Sequence, residues 1–145
     1  MKNIVRLSEA VLIGIHGAAV IAGAAGRPVT SKRIAKYIDS SENHIAKVMQ
    51  RLTKGGLLTS ARGPAGGFTL GRKPEKITVF DIFKMIEGEE DGKECPFRRR
   101  QCVFNGCLFE GVIEKIESDF TKYMKNKTLA DMRTEGGKET WLKEA

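Results

Sequence analysis

Apolar residues dominate positions 10–25 of the chain. They follow a serine, Ser8, that can accept from the first backbone amides of a helix. The spacing predicts one largely buried helix that starts near Ser8 and ends among the small residues 23–26, ahead of Arg27 and Pro28. After Pro28, Thr30 or Ser31 can cap a short helix over residues 32–38, with Ile34, Ala35 and Ile38 on one side. Asp39, Ser40 and Ser41 form a turn. A second helix follows over residues 42–53, with Ile45, Val48, Met49 and Leu52 at i, i+3, i+4 and i+7. Gly55 and Gly56 stop it. Two short helices joined by such a turn have the outline of a helix-turn-helix.

A hairpin comes next. Residues 57–59 and 68–70 read as strands, and Arg62-Gly63-Pro64-Ala65-Gly66-Gly67 between them is turn chemistry. A helix-turn-helix followed by a basic, glycine-rich hairpin is a winged helix. Thr78-Val79-Phe80-Asp81 opens a further helix as a capping box and carries it to about Glu87. Residues 88–106 are polar and predicted to be a loop. A long helix is predicted from about Cys107 to Lys125. Phe109, Val112, Ile113, Ile116, Phe120, Tyr123 and Met124 form its apolar stripe, and Glu110, Glu114, Lys115, Glu117, Lys122 and Lys125 face the other way. Stripes of this kind often pack on a symmetry mate, so Phe109, Val112, Ile113, Ile116, Phe120 and Met124 are the expected dimer interface, docking on the chain's own domain being the alternative. Thr128 caps a last short helix, and a loose, charged tail follows.

The expected fold is therefore mainly α with a small β wing: a winged helix-turn-helix plus a long dimerisation helix. Its parts are a DNA-binding domain over residues 1–90, a cysteine-rich loop over 91–107, the dimerisation helix and short terminal helix over 108–132, and a flexible tail over 133–145.

Composition sharpens this picture. With 145 residues the chain is long enough to bury roughly two-thirds of its unfolded surface without disulfides. The net charge is +7. Residues 30–74 hold nine basic side chains, Lys32, Arg33, Lys36, Lys47, Arg51, Lys54, Arg62, Arg72 and Lys73, against Asp39 and Glu42. The whole surplus lies in that block, and a concentrated positive field suits a polyanion. The N-terminal apolar run superficially resembles a signal peptide, but Glu9 and His16 interrupt it and its flank, and it is too short to span a membrane. A cytoplasmic protein with no membrane partner is expected.

These motifs together resemble the IscR/NsrR family of winged-helix bacterial transcription regulators over residues 7–132. The resemblance is carried by Leu7-Ser8-Glu9-Ala10, the helix at 45–52, Arg62-Gly63-Pro64-Ala65-Gly66-Gly67-Phe68, Ile77-Thr78-Val79, Glu87-Gly88, the three-cysteine loop and Thr128-Leu129-Ala130-Asp131. It implies a homodimer that reads near-palindromic double-stranded DNA operators. It places base or phosphate contacts at Ser41, Asn43, His44 and Lys47, the polar start of the second helix, where a recognition helix reaches base edges. Arg51 adds charge on that helix, and Arg62 at the wing tip suits a narrow minor groove.

Many members of that family hold an iron–sulfur cluster in the cysteine loop. Here Cys95, Cys102 and Cys107 are separated by six and then four residues, which is not the C-x-x-C spacing of zinc knuckles. Three thiolates from one loop can hold such a cluster with a fourth ligand from elsewhere. Arg98, Arg99 and Arg100 would favour the thiolates. Relatives supply the fourth ligand from a histidine three residues after the last cysteine or from a carboxylate in the first helix; those positions hold Glu110 and Leu12. Leu12 cannot ligate. Glu110 or His16, one turn beyond Leu12, is the expected fourth ligand. Zinc, or redox-active thiols without metal, remain alternatives, and cluster nuclearity is not implied.

The resulting expectation is a regulator whose operator affinity is gated by an iron–sulfur cluster. A thiol- or zinc-based redox-sensing repressor of the same fold is the alternative. A structural nucleic-acid binder would leave the cysteine loop unexplained. No catalytic constellation supports an enzyme, and an electron carrier would not need the basic wing.

Overall fold

The computed structural model describes residues 7–88, 106, 109 and 111–132. Their order is α1 (Glu9–Gly23), α2 (Ser31–Ala35), α3 (Glu42–Lys54), β1 (Leu58–Ala61), β2 (Gly67–Leu70), a 3-10 turn at Pro74–Lys76, α4 (Val79–Glu87), α5 (Val112–Asn126) and a 3-10 turn at Leu129–Met132. The strands form a two-stranded antiparallel sheet with Leu58 opposite Leu70 and Ala61 opposite Gly67. The architecture is mainly α with a small β wing, a winged helix-turn-helix.

The axis of the fold is α1. Ser8 caps it, its hydroxyl oxygen accepting from the Val11 amide at 3.2 Å. Val11, Ile13, Gly14, Ile15, Gly17, Ala18, Val20, Ile21 and Ala22 are all buried, because α3, α4, β2 and the last 3-10 turn all pack on this helix. Two glycines make the approach possible. A Cβ on Gly14 would collide with the tip of Ile86 and sit 3.1 Å from Ile82, both on α4. A Cβ on Gly17 would lie 2.7 Å from the Met49 methyl on α3. Glycine inside a helix costs up to about 1 kcal/mol; here the close contact of two further helices offsets it.

Two helix boundaries differ from expectation by three residues or more. The short helix ends at Ala35, not Ile38. Past Ala35 the backbone tightens, with Lys36 and Tyr37 amides donating three residues back and Ser40 donating to Ile38. That bend brings Ile38 against the core. The long helix starts at Val112, not Cys107: Gly111 has φ +78°, a left-handed conformation that an α-helix cannot contain. The short terminal turn, grouped with the long helix in the sequence, docks back on the winged-helix core. Leu129 is buried there, its amide donates to Ile77, and the Val79 amide donates to Lys127. Asp131 locks this turn by accepting from the Thr128 amide and hydroxyl at 2.8 and 2.9 Å. Those bonds hold its carboxyl below the ordinary range.

The capping box on α4 is as expected: the Thr78 oxygen accepts from the Asp81 amide at 3.0 Å, and Asp81 accepts from the Thr78 amide at 2.9 Å. Along α5, Lys125 places its ammonium 4.8 Å from the centre of the Phe80 ring and so joins α5 to α4. Among the described residues no helix is long and apolar enough to cross a membrane.

Candidate nucleic-acid interface

The buried stripe of α3, Ile45, Val48, Met49 and Leu52, turns its opposite side to solvent. Ser41 is the N-cap, and its hydroxyl oxygen accepts from the His44 amide at 3.2 Å. From there Asn43, Lys47, Gln50, Arg51 and Lys54 are all exposed, one polar face at helical spacing. Ser41, Asn43, Lys47 and Arg51, singled out in the sequence, share this surface. His44 stands at its edge, its Nδ1 3.5 Å from a carboxylate oxygen of Glu9. Gln50 was missed by the sequence reading. Its position, seven after Asn43 and three after Lys47, was the available signal, and a glutamine amide can pair bidentately with adenine.

The wing stands beside α3 and is built by backbone geometry. Gly67 has φ +145°, and a Cβ there would sit 2.8–2.9 Å from the backbone of Val29. That crowding arises because Val29 and Phe68 exchange two amide–carbonyl bonds of 2.9 Å, adding a third short strand segment to the hairpin. Across the two long strands the Thr59 and Thr69 hydroxyls meet at 2.7 Å. In the turn, the Gly66 amide donates to Gly63 at 2.9 Å. Arg62 is exposed at the end of this hairpin, and Lys32, Arg72 and Lys73 are exposed as well. A polar helix face beside a rigid basic hairpin has the form of a major-groove reader with a minor-groove arm.

Cys95, Cys102, Cys107 and Glu110 lie outside the described residues. His16 is described. It is exposed on α1 rather than packed in the core, and its Nδ1 lies 2.7 Å from the Leu12 carbonyl. A carbonyl only accepts, so in the neutral ring Nδ1 carries the proton and Nε2 keeps its lone pair. Among the described residues no three His, Cys, Asp or Glu side chains form a metal-binding group.

The apolar stripe of α5 divides. Phe109, Val112 and Ile116 are exposed, as is Tyr123, with Ile116 at 42%. Ile113 and Phe120 are half-buried. Met124, expected at the interface, is 3% exposed and covered by its own chain. Hydrophobic periodicity cannot separate the two roles, since both lie on the apolar side of one helix.

Residues 7–135 match the model of the Rrf2 family, described as iron-dependent transcriptional regulators. A protein of Aquifex aeolicus carrying the name of an HTH-type transcriptional regulator is 30% identical over 128 residues, covering 86% of this chain and 89% of its own. Among solved structures, IscR of T. potens is similar with a TM-score of 0.70 and 29% identity, covering 89% of this chain and 86% of its own. CymR, the global cysteine regulator of B. subtilis, shares the fold with a TM-score of 0.70 at 24% identity, covering 89% of this chain and 96% of its own.

The wing geometry generates a direct expectation. Gly67→Ala places a Cβ against the Val29 backbone at a φ that alanine resists, which should cost about 1–3 kcal/mol of stability. Duplex DNA binding should weaken beyond what that loss explains, because the hairpin bearing Arg62 is displaced. Urea unfolding and fluorescence anisotropy on one preparation measure both; unchanged DNA affinity would remove the wing from the interface.

Proposed function

Because this chain belongs to the Rrf2 family of transcriptional regulators, we propose that it is a homodimeric, DNA-binding regulator whose operator affinity is set by an iron–sulfur cluster. The observation that carries the DNA-binding part is the exposed face Asn43, Lys47, Gln50, Arg51 and Lys54 beside the Arg62 hairpin. Ser41 and His44 at the start of α3 complete the set that would touch bases or phosphates. Lysines and arginines here neutralise phosphates, and the helix start and Arg62 carry sequence and groove-width preference.

Dimerisation is assigned to the exposed ridge of Phe109, Val112, Ile116 and Tyr123, with Ile113 and Phe120 at its margin. A second copy of the chain would cover it. Ile116→Glu is a clean test because the residue is already partly exposed in the single chain. The variant should keep its fold by circular dichroism and elute as a monomer. A variant that remains dimeric by light scattering places the interface elsewhere.

Cys95, Cys102 and Cys107 would supply three thiolates to the cluster. His16 fits as the fourth ligand, with Glu110 the alternative. Its Nδ1 is held by a backbone carbonyl, the residue is exposed, and its Nε2 has no partner among the described residues, the arrangement typical of ligating histidines. Such a group supplies redox- and ligand-sensitive chemistry at its iron. The chain's contribution is to hold the three cysteines in a segment that leaves the end of α4 and returns to the start of α5. A group held by those three cysteines would tie the end of α4 to the start of α5, and so set how far apart two recognition helices stand on DNA.

The test is the anaerobic visible spectrum, iron and sulfide content, and operator affinity of the wild type and of each Cys→Ala variant. Wild-type protein should absorb near about 400 nm and contain both iron and sulfide. Each variant should lose the band and settle at one fixed affinity. Colourless protein, variants that keep their colour, or equal affinities of loaded and cluster-free protein would overturn the gating. His16→Ala should alter the spectrum, and an unchanged one would move the fourth ligand to Glu110 or elsewhere.

A further inference from the structure

An acidic side chain stands on the basic face. Glu9, in the first turn of α1, has its side chain 66% exposed, yet it is held on both flanks of the α3 N-cap. Ser40, just before the cap, donates its hydroxyl to Glu9 Oε1 at 3.1 Å. His44, just after it, has Nδ1 3.5 Å from the same oxygen. The start of α1 is itself fixed. The Ser8 hydroxyl donates to the Glu87 carboxylate at the end of α4 while its oxygen accepts from Val11. The carboxylate therefore stands at a set position and is not a wandering surface group.

Its charge opposes the attraction of this face for phosphate. Its position does something else. A carboxylate facing Nδ1 draws the ring proton to that nitrogen and turns the neutral imidazole so that Nε2 points away from α1. Nε2 of His44 has no partner among the described residues. An outward imidazole acceptor near the start of a recognition helix matches the exocyclic amine of cytosine or adenine. It mismatches the two acceptors of guanine.

We propose that Glu9, on a helix outside the helix-turn-helix, is a positioning residue that determines operator specificity: it orients His44 to accept from a base amine, while its charge weakens binding to DNA that lacks the matching base. The inference rests on the reading of the α3 face as the DNA interface.

The experiment uses the full chain and two duplexes. One is the sequence that the wild type enriches from a randomised pool; the other is a shuffled duplex of the same composition. Affinities are measured for wild type, Glu9→Ala, Glu9→Gln, His44→Ala and the Glu9→Ala/His44→Ala double variant, with thermal midpoints alongside. Glu9→Ala should tighten binding to the shuffled duplex and lower the enriched-to-shuffled affinity ratio about tenfold, the scale of one lost base contact. Glu9→Gln, whose amide oxygen still accepts from Ser40 and keeps a partial negative charge facing Nδ1, should stay within about threefold of the wild-type ratio. In the His44→Ala background, Glu9→Ala should not change the ratio further, and the midpoints should stay together. An unchanged ratio in Glu9→Ala, or an equal drop with and without His44, overturns the proposal. So does a drop matched by lost thermal stability. A wild type that enriches no sequence overturns the DNA-binding reading beneath it, a result distinct from a wild type that enriches one and is indifferent to Glu9.

Discussion

Everything in this structure leans on a helix that is buried nearly all round. An amphipathic helix has one face to bury; α1 has almost none to expose, and only Glu9, Leu12 and His16 of its 15 residues are open to solvent. It is surrounded because Gly14 and Gly17 let α4 and α3 approach closely. A recognition helix must present polar side chains on a backbone that does not yield, and α3 gains that rigidity from Ile45, Val48, Met49 and Leu52 packed into the core around α1. The polar, exposed half of α3 therefore owes its position to the apolar half.

The same helix links the two ends of the molecule. Its start touches the beginning of α3 through Glu9 and the end of α4 through Ser8. Its middle exposes Leu12 and His16 on one side. The return of the chain through Lys127 and Leu129 to Ile77 and Val79 fastens the far end of α5 to the core. Any change in the segment joining α4 to α5 thus acts on helices anchored at both of their core-side ends, and such helices respond by moving as bodies more readily than by fraying.

Much of the fold was legible in the sequence because its signals are local. Ser8, Thr30 and Thr78 each cap the helix expected of them, and Ser41, read as part of a turn, caps α3. The glycine-rich run at 62–67 does turn a hairpin. What local patterns could not show was how elements meet. Met124 and Ile116 carry the same periodic signal, and only packing within the chain separates a buried residue from an exposed one. His16 sits in an apolar run, and its place on the one open stripe of α1 shows only in the packing. The Glu9–His44 contact joins residues 35 apart in sequence, and no spacing rule reaches across two helices. On the candidate interface, periodicity gave the face of α3 but not its full membership, as Gln50 shows.

The central claim is that the start of α3 and the hairpin tip together form the surface that meets duplex DNA. Hydrogen exchange of the full chain, with and without a duplex selected by it, measures this most directly. The first-turn amides of α3 have no partner within their own helix, and the turn at residues 62–67 is largely exposed. Both should slow markedly in the complex, while the amides of α1, already buried, should change little. Protection confined to the α5 ridge, with the α3 start and the hairpin unaffected, would contradict the account.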